Sequence, residues 1–458
     1  MENGRTNSGN RPRGRPRVVV VGSGFAGFTC VSGLERRLGP EDAELVLVSP
    51  TDYLLYSPLL PEVASGAMDP RHVVVPLHGA LKRATVVLGY ATDVNLDART
   101  CTVSPPNAPE WVLGWDRIVL APGGVTRSFP IPGLAERARG FKTPAEALYL
   151  RDHALQQLEM AEASDDPDER RARCTFVVAG AGYSGTECAA QMQLFTKHAL
   201  AKYPGLESED VRWMLLDVAP RVLPELGEHL GEVALGLLKR RGIEIRLQTS
   251  IEEANEESLK LSDGTSVPTR TLVWCAGVAA SPLVATLRLP LERGRLVVNE
   301  RLFVAGRPDV FALGDCAAVP DLARPGKVTP PTAQHALRQG RTAAQHRRLL
   351  GARAGQGLQA QRPRVRGRSR WQGGRSKAFG RGDVRDRREG HDAGLPPLRA
   401  ALEDAAPTRG VRLGPRRRSI SSAGAARPRP REEDAPLAAA ERTGIYAAPQ
   451  GPPKEGHQ

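Results

Sequence analysis

"VVVVGSGFAG", residues 18–27, is four valines running directly into glycines at 22, 24 and 27. An uninterrupted apolar run reads as a strand covered on both faces, as in a parallel sheet. The continuation "GFAGFTCVSGLERRLG" (24–39) has helical spacing, with Ala26, Thr29, Cys30, Leu34 and Leu38 near one face, and "ELVLVS" (44–49) is the next strand. "TFVVAGAGYSG", residues 175–185, repeats the pattern with Gly180, Gly182 and Gly185.

Each glycine has a separate physical task in such a loop. Gly22 permits the tight turn, Gly24 lets the main chain approach a pyrophosphate, and Gly27 lets the helix pack closely on the strand. The phosphates would then lie at the helix N-terminus, beside Phe25 and Ala26. One copy is equally well read as a structural turn; two copies between an apolar strand and a helix point to two dinucleotides in one chain. After the second copy, Asp217 ends "RWMLLD" and can accept hydrogen bonds from an adenosine ribose while repelling a 2′-phosphate, which favours NADH over NADPH. A solvated strand-end carboxylate would read the same way. The corresponding place after the first copy is Ser49, with Asp52 nearby as a substitute.

Further buried strands are expected at 117–124, 212–217, 271–277 and 309–315, so the body reads as a doubly wound α/β chain with ligands at the carboxyl ends of its strands. Its 458 residues are enough for two or three domains. No run of about 18 apolar residues is present to span a bilayer. The six cysteines (Cys30, Cys101, Cys174, Cys188, Cys275 and Cys316) are scattered without a C-x-x-C pair or a preceding signal peptide, which reads as reduced, cytosolic thiols. No metal site is expected.

The net charge of +13 belongs almost entirely to the C-terminal part. Residues 351–458 carry 23 Lys and Arg against 11 Asp and Glu, and only 14 of their 108 residues are Val, Ile, Leu, Met, Phe, Trp or Tyr. Such a segment cannot bury enough apolar surface to offset its chain entropy, and we expect a disordered basic tail. A nucleic-acid or anionic-lipid arm is the alternative reading.

The chain resembles the type II NADH:quinone oxidoreductases (alternative NADH dehydrogenases), which are flavoproteins of the two-dinucleotide-binding type. "VVVVGSGFAGFTC" is similar to that family's FAD fingerprint, "TDYLLYSPLLPEVASG" (51–66) to the segment after its second strand, and "WDRIVLAPGG" (115–124), which contains Ala121 and Gly123, to the strand leading out of the FAD domain. "VVAGAGYSGTECAAQM" (177–192), with Tyr183, resembles its NADH fingerprint, "LVWCAGV" (272–278), with Gly277, its return strand, and "PDVFALGDCAAV" (308–319) its second FAD motif.

The resemblance implies two Rossmann-like domains, the second inserted in the first: FAD-binding over 17–130 and 270–345, NADH-binding over 131–269, flanked by a basic tail at 1–16 and the low-complexity tail at 346–458. It implies FAD and NADH as cofactors, hydride transfer from NADH to FAD, and two-electron delivery to a quinone without proton pumping. Asp315 would bond the flavin's ribityl chain ahead of a helix starting near Cys316 and Ala317, although a simple helix cap reads the same. Glu187 would lie between nicotinamide and flavin, or simply profit from the helix dipole. "PPTAQHALRQG" (330–340) resembles the quinone-site helix through Gln334 and Gln339, with Arg338 replacing a glutamine of that pattern.

The redox C-x-x-x-x-C of disulfide reductases is missing after the first fingerprint, so thiol-disulfide chemistry is not expected. Peripheral attachment to the inner face of the cell membrane is a family expectation, nucleic acid is not expected as a partner, and homodimerisation stays open. The competing readings are a soluble NADH-dependent flavin reductase with a protein or oxygen acceptor, and a redox-sensing flavoprotein with a nucleic-acid-binding tail. Because the resemblance stops near 345, we hypothesise that the tail is an out-of-frame translation of a GC-rich gene. An apolar, helix-forming continuation should then appear in another reading frame.

Overall fold

The computed structural model describes residues 15–346 and the short strand Ile445–Tyr446; the expectations for both tails fall outside these residues. The molecule is organised around two parallel sheets. In the first, Arg17–Val21 is flanked by Glu44–Ser49 and Arg117–Leu120, with Thr85–Leu88 outside the former and Arg307–Ala312 outside the latter. The hairpin strand Phe303–Val304 closes that edge antiparallel. In the second, Thr175–Ala179 is flanked by Arg212–Asp217 and Thr271–Trp274, with Glu244–Leu247 and Ala138–Arg139 at the edges, all parallel.

Burial explains why these segments become central strands. Val18, Val19 and Val20 are wholly buried, as are Phe176, Val177 and Val178. Each such side chain contributes about 1.5–3 kcal/mol on leaving water. Phe176 stacks on Trp213 of the adjacent strand, with ring centroids 4.8 Å apart, and the buried indole N–H of Trp213 donates to Thr196 Oγ1.

The two halves repeat one plan. Each inserts a three-stranded antiparallel meander before returning to its sheet: 90–114 in the first half and 251–268 in the second. The crossings between the halves run side by side, with Gly124–Arg127 antiparallel to Val278–Ala280. This moves one expected boundary. Thr271–Trp274 pairs in register with Phe176–Ala179 and so belongs to the second sheet, not to a first-half segment beginning at 270. The chain recrosses only after Gly277, where the paired connector begins.

The helix Ala333–Ala343 closes the first half against the helix Phe25–Glu35. The two approach closely because Gly340 and Gly33 carry no side chain: a Cβ on Gly340 would stand 2.4 Å from Ala26 O, and one on Gly33 would stand 2.5 Å from Ala344 Cβ. No helix among the described residues is long and apolar enough to cross a membrane.

Candidate functional site

The two glycine loops share one set of close contacts. Gly22 turns the chain with φ 97°, and its N–H donates to Val48 O at 2.7 Å. A Cβ there would meet Ala121 O at 2.1 Å, and one on Gly27 would meet Gly22 O at 1.9 Å, while nothing lies within 4 Å of the equivalent position on Gly24. In the second loop Gly180 has φ 108°, and its N–H donates to Leu216 O at 2.7 Å. A Cβ on Gly180 would stand 2.6 Å from the carbonyl carbon of Cys275, and one on Gly185 1.9 Å from Gly180 O; Gly182 again faces open space. Gly123 and Gly277, with φ 74° and 81°, follow Ala121 and Cys275 at matching places.

Each loop therefore leaves a strip of bare main chain at its middle glycine. The helices that follow, Phe25–Glu35 and Tyr183–Ala199, have no side-chain cap. By contrast, Thr143 and Glu146 cap the helix Pro144–Glu162 reciprocally. Uncapped first-turn N–H groups beside an open glycine form a cradle suited to a diphosphate.

The acidic and hydroxyl residues fall into place unequally. Asp217 sits at the mouth of the second loop, where one carboxylate oxygen accepts from Ala181 N–H and the other from Ala219 N–H at 2.7 Å. Ser49, expected to contact a ribose, does not line the first cradle. It is wholly buried, with its hydroxyl 2.7 Å from both Ser23 Oγ and Thr51 O, so it braces the glycine loop from behind. Asp52 is exposed.

Asp315 reaches the seam between the halves, but no helix starts at Cys316. Gly314–Cys316 is a single 3-10 turn, and Ala317–Ala318 then pairs with Leu296–Val297. Pro320 biases the residue before it toward extended backbone, so a helix could not have continued there. Burial raises the Asp315 carboxyl above its ordinary range, against the pull of Lys142 and Arg295.

Glu187 lies in the first turns of the helix Tyr183–Ala199, and its pKa is pushed up to about 7, first by burial and then by the charge of Glu62. Glu62 is shifted upward by its own burial, and its Oε2 is buried without a hydrogen-bond partner. Sequence reasoning passed over Glu62. Its only local signal is that it is the one charged residue in "LLPEVASG" (59–66).

Residues 16–340 match the model of the pyridine nucleotide-disulphide oxidoreductase family. A type II NADH:quinone oxidoreductase of Mycobacterium tuberculosis is 36% identical over 322 residues, 68% of each chain. The chain belongs to this family. A second relative of that name, from Staphylococcus aureus, is 29% identical over 73% of this chain and 83% of its own. A solved structure of NDH2 from Plasmodium falciparum in complex with NADH shares the fold, with a TM-score of 0.66 at 18% identity over 72% of this chain and 82% of that one.

As a type II NADH:quinone oxidoreductase, the chain is an oxidoreductase whose cysteines are all free thiols. Burial pushes Cys30, Cys101, Cys275 and Cys316 up to about 12 and Cys174 to about 11, which leaves them protonated and poor nucleophiles.

The helix Ala333–Ala343 sets the two glutamines on different faces, as their five-residue spacing requires. Gln334 is exposed at its start, whereas Gln339 is 8% exposed and already has partners at both ends of its amide. Its Oε1 accepts from Gly314 N–H at 2.7 Å, and its Nε2 donates to Thr329 Oγ1 at 3.1 Å. Gln339 thus ties down the Asp315 turn, and a five-residue step turns it to the other side of the helix from Gln334. Gln339→Leu should leave the Gly314 N–H unpaired and destabilise the protein by about 1–3 kcal/mol, read from the urea midpoint. An unchanged midpoint would show that the tie carries no stability.

Proposed function

We propose that the chain is an FAD-dependent NADH dehydrogenase that takes a hydride from NADH and delivers two electrons to a quinone, with no proton translocation. The observation that carries this reading is the duplicated cradle: one glycine-loop geometry occurring twice, on two parallel sheets whose connecting strands run side by side. Two dinucleotides held at the carboxyl ends of such sheets meet at the seam.

FAD fits the first cradle. Gly24 leaves open main chain for the diphosphate, Gly22 and Gly27 bring strand and helix together, and Phe25, Ala26, Ala121, Gly123 and Asp315 line the remainder. Bound FAD would supply a two-electron acceptor that can pass its electrons onward. NADH is assigned to the second cradle, with Gly180, Gly182, Tyr183 and Gly185 at its diphosphate, Asp217 at its ribose and Gly277 toward the seam. Glu187, whose carboxyl titrates near neutrality, is placed to hold or release a proton there.

A carboxylate at the ribose position disfavours a 2′-phosphate by charge. Asp217→Asn should therefore narrow the preference for NADH over NADPH about tenfold, or ~1.4 kcal/mol, in kcat/KM. An unaltered ratio would remove Asp217 from that role.

Quinone contact is assigned to the exposed face of Ala333–Ala343, at Gln334 and its helical neighbour Arg338. A lipid-soluble acceptor places the enzyme peripherally on the inner face of the cell membrane. The experiment is a comparison of acceptors under steady NADH supply. Turnover with a short-chain quinone should exceed turnover with oxygen at least tenfold; equal rates would remove quinone from the proposal.

A further inference from the structure

Lys142 lies in the turn just before the helix Pro144–Glu162, and its ammonium points inward to the start of the crossing strand Gly124–Arg127. Nζ donates to Gly124 O at 3.4 Å; among the described residues this is its one hydrogen bond, and it has no ion pair. Asp315, Glu146 and Cys275 are the titratable groups facing it, with Arg295 on the far side of Asp315. Burial draws the ammonium below the ordinary lysine range, and these neighbours offset that only in part.

A half-buried cation held by one long hydrogen bond leaves most of its donor capacity for another group to complete. Of the neighbours, Asp315 faces Lys142 without a hydrogen bond to it, and Glu146 is engaged through one carboxylate oxygen, its Oε1 being buried without a partner. Glu146 Oε2 accepts the main-chain N–H groups of Lys142 and Thr143, each at 2.7 Å. Arg295 donates to Thr329 O at 3.0 Å.

The position is informative as well. Gly124 continues directly from the first cradle, and Cys275 packs beneath Gly180 of the second. Lys142 thus lies where the segments continuing from the two cradles adjoin. At that seam the reacting ends of two dinucleotides have to meet.

We propose that Lys142 is the fixed positive charge that holds the reduced flavin as an anion, an assignment that rests on the two-cradle reading above. A hydride brings two electrons and one proton, so a flavin that accepts it gains one negative charge, while NADH departs as NAD⁺. A cation fixed beside the ring binds that extra charge and favours the reduced form over the oxidised.

The test is the midpoint potential of the bound flavin. In Lys142→Met the reduced flavin should lose at least tenfold more affinity than the oxidised flavin, which lowers the potential by about 30 mV for a two-electron couple. Lys142→Arg should restore it. A role confined to packing or to pairing with Glu146 would leave the potential unmoved, and an unchanged value in flavin-loaded Lys142→Met overturns the proposal.

A second measurement needs only the wild-type protein and decides the matter if the methionine variant does not fold. The pH dependence of its potential should show one proton taken up per two electrons on the acid side of neutrality, where Glu187 stays protonated; two protons there would overturn the proposal. A wild-type protein that binds no flavin would instead remove the two-cradle reading itself, a result distinct from either of these.

Discussion

Gly185→Val is expected to give a protein that keeps its yellow flavin but is no longer bleached by NADH. The added Cβ would stand 1.9 Å from Gly180 O and 3.2 Å from Cys275 Cβ. The first contact is with main chain, which cannot swing aside. The helix Tyr183–Ala199 must lift from its strand, and overpacking of this kind costs about 1–3 kcal/mol locally while spoiling the cradle.

The strands and helix of the first cradle lie in a buried cluster that contains no residue of the helix Tyr183–Ala199, so the damage should fall first on the second loop. One buried cluster runs from Val18 to Ala121 and resumes at Leu283, the other from Leu134 to Trp274, and they share no residue. NADH reduction should slow at least about 100-fold, equivalent to ~2.7 kcal/mol in the barrier. Gly27→Val, with the same 1.9 Å clash against Gly22 O, should instead release the flavin. Stopped-flow absorbance on both variants separates the sites. Reduction of Gly185→Val at the wild-type rate would contradict the assignment of NADH to the second loop.

Glu187→Gln should change how stability depends on pH. The Glu187 carboxyl rises from 4.5 to about 7 on folding, so the folded state retains a proton that the unfolded chain releases. Below 4.5 both states are protonated and Glu187 carries no penalty. As pH rises from there toward 7 the unfolded state ionises first, and stability falls; above 7 the loss levels off at a value on the order of 3 kcal/mol. Glutamine does not titrate, so the variant lacks this loss, and it also removes the like charge facing Glu62. Denaturant midpoints of the two proteins should coincide on the acid side of 4.5 and separate above 7, with the variant more stable. Parallel curves through this window would show that Glu187 is not held protonated.

Much of the architecture was legible because parallel strands buried on both faces leave uninterrupted apolar runs, as in Val18–Val21 and Trp213–Leu216. The glycine spacing then located both loops, and the paired contacts at Ala121 and Cys275 give that spacing its steric reason. What stayed hidden depends on partners far along the chain. Ser49 reads as a free hydroxyl until Ser23 is brought against it, and Gln339 reads as a ligand contact until Gly314 and Thr329 take up its amide. The helix expected at Cys316 was lost to sheet pairing with Leu296 and Val297. Lys142 carries no local pattern and Glu62 only its isolation in an apolar run; they matter because folding places them against Asp315 and Glu187.

In the proposed function one chain holds a flavin and an NADH in two like cradles with an electron path between them. The most direct test is an anaerobic NADH titration of the flavin-loaded protein, followed through the visible flavin absorbance, with a soluble quinone then added. Stoichiometric bleaching by NADH and recovery on quinone addition is the predicted result. A protein that takes up no FAD, or one that stays yellow under excess NADH, would contradict it.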